Sequence, residues 1–547
     1  MKKNKFIEGT LFAYIVILLT KIIGAVYVIP LREIIGEAGG VLYGYAYQVY
    51  TLFLDISTSG IPTAISIIIA EFNALKMFNE REYTFKVANK LISVISVIAF
   101  TVMFLMAKPI AMFFVDGINN TPESISSIVL VIRVIAFCLL VIPFLSITRG
   151  YLQGNRYAYA SSSSQLVEQV VRVVVALVGS YVAINILCLS MPIGVAITLS
   201  GTVLGGLAAY LLLRYKIHKN KAQLMEGVTS YKDSTVSAKE IIIKIAKRAI
   251  PVIIIASIQN IYNIVDLKLL MQGLSQVGFS PEDCEVIGSV VVTWTPKICM
   301  LINSIAVSMC LSIIPFIVNS FVNNDKEEVN SKFNQAMSTI LYIAVPLSVF
   351  MYIFGKEIYS IFYVDKYYGG LILGANAITS VFFSLQMVMD MMLQGMKNYK
   401  LVYINTVAGL LTNILLDIPM ILLLKNLGLP PYIGTIFATF FGLLVSIIII
   451  MIGGRKKYGL NYKTTFKSFF QIIFATVIMA IVAVVAHYLM PVISGRIMTV
   501  IILGIFGIVA MAIYIVLTLK MGTMDLVLGK DFLKNLLNKF KKKQENN

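Results

Sequence analysis

Thr148-Arg149-Gly150-Tyr151-Leu152-Gln153-Gly154-Asn155-Arg156 closes one long apolar segment, and Ser161 to Ser180 belongs to the next. A short polar turn with two arginines separates them. The second segment contains Glu168 and Arg172, four residues apart, so on a helix they share a face and can pair. From Val170 to Leu177 every residue except Arg172 is apolar. At 1.5 Å per residue, Arg172 lies about 16 Å into a helix that starts near Ser162. That is close to the middle of a hydrocarbon core about 30 Å thick. A charge at that depth costs at least about 2.5 kcal/mol, so Arg172 must face a partner or a wet cavity.

The rest of the chain places this stretch in a membrane. Of its 547 residues, 58% are hydrophobic and 13% charged, against about 25% charged in a soluble protein. The mean hydropathy is +0.87. Long apolar runs recur from end to end, which predicts an all-α polytopic membrane protein. About fourteen spans are expected from apolar length. Lobe boundaries follow as 1–213 for six helices, 214–249 for a cytoplasmic linker with a basic interfacial helix, and 250–452 for six more. Residues 453–519 add two helices, and 520–547 form a basic amphipathic cytoplasmic tail. The first run begins after Met1-Lys2-Lys3-Asn4-Lys5 and continues past Lys21 without a small-residue cleavage site, so it reads as an uncleaved span.

The net charge of +18 is explained by topology and not by nucleic acid. With an inside N-terminus, the cytoplasmic connectors and tails hold thirty Lys and Arg, and the opposite side holds seven. The positive-inside rule therefore puts both termini in the cytoplasm. Phe532, Leu533, Leu536, Leu537 and Phe540 share a helical face ringed by lysines, a pattern suited to anionic lipid. Five widely spaced cysteines read as packing residues, and two distant histidines offer no metal cluster. No GxxxxGK[ST] loop is present, so ATP is not the expected drive. No cofactor is expected, and coupling would come from an ion gradient or the membrane potential.

An internal repeat supports two like halves. Leu152-Gln153-Gly154-Asn155-Arg156-Tyr157 recurs as Leu393-Gln394-Gly395-Met396-Lys397-Asn398-Tyr399, 241 positions on and again between two apolar spans. An even number of intervening spans makes the halves parallel, as in several transporter folds. Gly60-Ile61-Pro62, Pro296 and Pro315 are expected to bend their spans. Pro251 is expected in the first turn of the seventh.

The intramembrane ionisable residues carry whatever chemistry the chain has. Lys21, Arg149 and Arg172 give the first half three cations for an anionic head group, because arginine grips phosphate oxygens bidentately and stays charged. Glu168 and Asp55 complete the candidate substrate-binding set. Asp266, Lys297 and the bend at Pro62 are the candidates for coupling or gating. Arg133, Asp390 and Asp417 fit structural roles more simply. Such a cavity suits moving a phosphorylated lipid head through the membrane while its tail stays in lipid.

Several stretches resemble the polysaccharide biosynthesis family. They are Gly39-Gly40-Val41-Leu42-Tyr43-Gly44-Tyr45-Ala46-Tyr47, Ser59-Gly60-Ile61-Pro62-Thr63-Ala64-Ile65-Ser66, Arg149-Gly150-Tyr151-Leu152-Gln153-Gly154 and Glu168-Gln169-Val170-Val171-Arg172-Val173. The stage V sporulation protein B branch of that family includes Gram-positive-type lipid II flippases. It lies within the multidrug/oligosaccharidyl-lipid/polysaccharide exporter superfamily. The resemblance implies a two-lobed bundle with alternating access in a bacterial cytoplasmic membrane, acting as a monomer on an undecaprenyl-pyrophosphate-linked sugar. Val28 and Ile67 stand where the family often has Arg and Lys. Two alternatives accompany this reading. A cation-coupled multidrug exporter of the same fold would favour acidic residues in the cavity, and Asp55 is the one that fits. A membrane-embedded glycosyltransferase or polymerase would need an extended outer loop with catalytic carboxylates. The longest outer loop, 272–286, is short and carries Glu282, Asp283 and Glu285.

Overall fold

The computed structural model describes residues 16, 19–20, 23–24, 26–58, 60–115, 121–155, 157–229, 235–311, 313–363, 369–489 and 495–528. Lys21, Arg156 and the lysine-rich stretch after 528 lie outside the described residues. Every regular element among the described residues is helical. Among the described residues, twelve helices are long and apolar enough to cross a membrane. They correspond to the second to sixth and eighth to fourteenth expected spans. Helix Ala238–Gln276 contains the seventh, and about half of the first lies outside the described residues. The chain divides into two compact units, Met1–Ser289 and Val290–Asn547.

The first unit runs α1 (Val28–Thr58), α2 (Ile61–Ala74), α3 (Phe78–Leu105), α4 (Ala107–Val115), α5 (Pro122–Ala136) and α6 (Ile142–Gly154). It continues with α7 (Ala158–Val174), α8 (Met191–Lys219), α9 (Ala238–Gln276) and α10 (Pro281–Ser289). The bend expected at Gly60-Ile61-Pro62 is a break between helices. Gly60 has φ 74°, which favours glycine, and Pro62 occupies the first turn of α2. Two π turns, Val175–Gly179 and Val182–Ile186, follow α7 directly. Pro251 is not at a helix start: α9 runs through it. Ser237 caps the backbone of Glu240 and starts the helix earlier. Ile241, Ile245 and Ala249, four apart, then bury one face of the basic run. That face packs on the Gly60 break, where an added Cβ would stand 3.2 Å from Ala249 Cα.

The second unit runs α11 (Thr295–Leu311), α12 (Ile314–Val322), α13 (Lys326–Ile353), α14 (Gly355–Phe362) and α15 (Gly369–Gly395). It ends with α16 (Tyr399–Asn426), α17 (Gly434–Tyr458), α18 (Lys463–Tyr488), α19 (Arg496–Lys520) and α20 (Thr523–Leu528). Polar rungs join α11 to α15 at one-turn intervals. Asn376 Nδ2 donates to Thr295 Oγ1 at 2.6 Å, and the Ser384 hydroxyl donates to Asn303 Oδ1 at 2.7 Å, each pair 81 positions apart. Cys299 lies beside Ser380 between them. A π turn at Val290–Trp294 precedes α11. Its carbonyls accept from the Thr295 hydroxyl (2.9 Å, Val290) and from Asn376 (3.2 Å, Val291), so the widened turn stays satisfied in an apolar surrounding.

The repeated turn has the same backbone bonding in each unit. Asn155 N reaches Tyr151 O (3.1 Å) and Tyr157 N reaches Leu152 O (2.8 Å). Met396 N reaches Met392 O (3.0 Å) and Asn398 N reaches Leu393 O (2.8 Å), which is the same pattern 241 positions later. The second turn places Lys397 at φ 57°, as a left-handed helix end requires.

Candidate functional site

Glu168 is the shared counter-charge of two arginines. Its Oε2 accepts from an Arg149 terminal nitrogen at 2.8 Å, and its Oε1 accepts from Arg172 one turn along α7. Arg149 Nε donates to Ser164 Oγ at 2.9 Å. The Ser164 hydroxyl donates in turn to Ser161 O at 2.6 Å. The group carries a net charge of +1, and its side chains keep 16% (Arg149), 14% (Glu168) and 24% (Arg172) exposure. Among the described residues, Arg172 Nε has no hydrogen-bond partner. The phenols of Tyr47, Tyr50 and Tyr27 lie within electrostatic reach of the same guanidinium. Chemically this is a half-buried cation pair steadied by one carboxylate, with donor capacity left on Arg172 for an anion.

Glycines bring these helices close enough. A Cβ on Gly205 would stand 2.5 Å from the Glu168 carbonyl oxygen, and one on Gly201 would stand 2.7 Å from that of Arg172. The backbone of α8 therefore lies directly behind the pair. On α6, a Cβ on Gly150 would meet Pro62 O at 2.5 Å, and one on Gly154 would meet Ser66 O at 2.7 Å. Both pairs have the small-xxx-small spacing that lets membrane helices touch backbone to backbone. Pro62 thus backs the turn that presents Arg149.

Asp55 on α1 accepts from Asn260 Nδ2 on α9 at 2.6 Å. Asp266 lies on α9, half-buried. Lys297, in the second unit, sits 4.8 Å from the centroid of the buried Trp294 ring. Asp390 Oδ1 accepts from Asn405 Nδ2 at 2.9 Å, and Asn405 Oδ1 accepts from Gln386 at 3.2 Å. Asp417 is fully buried. Among the described residues no group of three or more His, Cys, Asp or Glu is placed to hold a metal ion.

Sequence reasoning missed the serine run. Ser161 accepts from Gln153 (2.9 Å), Ser163 from Lys216 (3.1 Å) and Ser164 from Arg149. Four consecutive serines opening a helix beside a basic turn were the available signal. The glycine pairs, each four residues apart, were another.

The description "polysaccharide biosynthesis protein" matches residues 6–279, half of the chain. The chain belongs to the polysaccharide biosynthesis protein family. The family described as MatE matches residues 287–418. The lipid II flippase MurJ of Bacillus subtilis (strain 168) is 26% identical over 537 residues, covering 96% of this chain and 97% of that one. Stage V sporulation protein B of the same organism is 24% identical over 374 residues, covering 66% and 68%. Among solved structures, an inward closed conformation of the lipid II flippase MurJ superposes with TM-score 0.66 at 15% identity, covering 95% of this chain and all of that one. An inward-facing multidrug resistance MATE family transporter gives 0.61 at 16% identity, covering 80% and 98%. This member of the polysaccharide biosynthesis family therefore has the fold of the MurJ and MATE transporters and is a multi-pass membrane protein.

Proposed function

We propose that the chain is a flippase that carries a lipid-linked saccharide with a pyrophosphate head, a cell-wall or polysaccharide precursor of the lipid II type, across the cytoplasmic membrane by alternating access. The observation that carries this reading is the Arg149–Glu168–Arg172 group, net positive and half-buried, with an unused donor on Arg172. An anion of two phosphates suits such donors, and a cationic drug does not. The near full-length likeness to the lipid II flippase MurJ of Bacillus subtilis supports the same reading. In this scheme Lys21 and Asp55 belong with the substrate site, and Asp266, Lys297 and the break at Pro62 serve coupling or gating. An ion gradient or the membrane potential supplies the drive, and no catalytic step is involved.

Depletion of the protein in its own cells tests the function. The expected result is accumulation of one lipid-linked precursor on the cytoplasmic leaflet, with unchanged sensitivity to cationic drugs. Increased drug sensitivity without precursor accumulation would replace this reading by the multidrug exporter that the MatE match allows.

The charge asymmetry along the chain predicts both termini in the cytoplasm, and the repeated turn predicts parallel halves. Reporter fusions after Lys108 and Lys366 are expected outside, and those after Lys221 and Lys457 inside. Opposite sides for Lys108 and Lys366 would end the parallel-repeat reading.

A further inference from the structure

The first unit holds a stripe of phenols that the anion site does not use. Tyr43, Tyr47 and Tyr50 lie on one face of α1. The Tyr43 and Tyr47 rings stack at 5.6 Å with only 10° between their planes, and Tyr50 follows 6.0 Å from Tyr47. The Tyr27 hydroxyl lies 3.5 Å from that of Tyr43. The Tyr50 hydroxyl lies beside the Cys138 thiol. Tyr43 and Tyr50 are buried, and Tyr27 and Tyr47 are half-buried. Tyr47 and Tyr50 lie within electrostatic reach of both Arg172 and Glu168.

Packing alone does not call for this composition. Leucine or phenylalanine would fill a membrane helix face without burying hydroxyls that each need a partner. Four phenols beside a guanidinium make a neutral aromatic surface edged with donors, stacked at Tyr43–Tyr47 and tilted by 56° at Tyr50. A phospholipid phosphate would need only the cation. A flat organic cation would suit the rings but would be repelled by the net positive arginine pair. A sugar ring has one face of C–H groups and a rim of hydroxyls. It matches both the ring faces and the phenolic oxygens.

We propose that Tyr27 and Tyr47, seated on Tyr43 and Tyr50, form a saccharide subsite beside Arg172. The sugar attached to the pyrophosphate lies across these rings while Arg172 holds the phosphate. The inference rests on the flippase reading and adds a division of labour to it: the arginines take the charge and the tyrosines select the sugar.

The test is direct binding to the purified full chain of two probes, a short-chain prenyl pyrophosphate and the same lipid carrying a disaccharide. Tyr47→Ala is expected to weaken the saccharide probe about tenfold, as loss of about 1.4 kcal/mol would, and to change the sugar-free probe less than about twofold on the same scale. Tyr47→Leu keeps apolar bulk should the alanine variant fail to fold, and it should show the same split. Tyr47→Phe keeps the ring and should fall between. Arg172→Lys should weaken both probes. Equal effects of Tyr47→Ala and Tyr47→Leu on the two probes, or no effect on either, overturn the saccharide subsite. Failure of the unaltered protein to bind either probe overturns the flippase reading instead.

Discussion

Glu168→Leu should be harder to recover as folded protein than the double variant Glu168→Leu/Arg172→Leu. The single change leaves Arg149 and Arg172 facing each other without the carboxylate they share. Stranding one member of a buried ion pair costs about 3–5 kcal/mol, and the residual exposure here puts the expected loss near the lower figure. The double change returns the group to a net charge of +1, with Arg149 still on Ser164. Apolar replacement of a whole buried pair is often neutral, but Arg149 still loses its carboxylate, so only part of the stability should return. Transport should not. Two charge-assisted hydrogen bonds to phosphate, at about 1.5–3 kcal/mol each, correspond to a loss of roughly a hundredfold or more. Arg172→Lys should also be impaired, because lysine keeps the charge but not the planar fork. Thermal unfolding in detergent and vesicle transport measure the two effects separately. A double variant that is normally expressed and fully active would remove Arg172 from the substrate site and leave Lys21 and Arg149 as the cations.

The second large effect requires only one methyl group. Gly205→Ala places a Cβ 2.5 Å from the Glu168 carbonyl oxygen and 3.2 Å from Arg172 N. Both are backbone atoms, and no rotamer change moves them. Helix α8 must separate from α7, and overpacking of this kind costs about 1–3 kcal/mol. The same substitution at Gly504 on α19 meets nothing within 4 Å, and alanine is the better helix former by up to about 1 kcal/mol. The expected result is a lower melting temperature and lower transport for Gly205→Ala, with neither reduced for Gly504→Ala. Equal melting temperatures for the two variants would show that α8 and α7 do not need their backbone contact.

What could be read along the chain was what depends on neighbours along the chain. Apolar length located the spans, because each must match the thickness of the hydrocarbon core wherever its neighbours lie. The spacing of Glu168 and Arg172 gave their pairing, since residues four apart on one helix meet without help from other elements. Glycine and proline marked the break at Gly60 for a similarly local reason, the backbone conformations these residues allow. Helix α9 shows where local reading stops. Pro251 looked like a beginning, but the Ser237 cap and the burial of Ile241, Ile245 and Ala249 carry the helix through it. Tertiary structure alone decided that Glu168 also holds Arg149, that the serine run receives Gln153, Lys216 and Arg149, and that Asn376 and Ser384 join α15 to Thr295 and Asn303 on α11. Each of these contacts depends on which way one helix is rotated against another. That rotation is set by the glycines and side chains of both surfaces together, and hydropathy along a single segment carries no record of it.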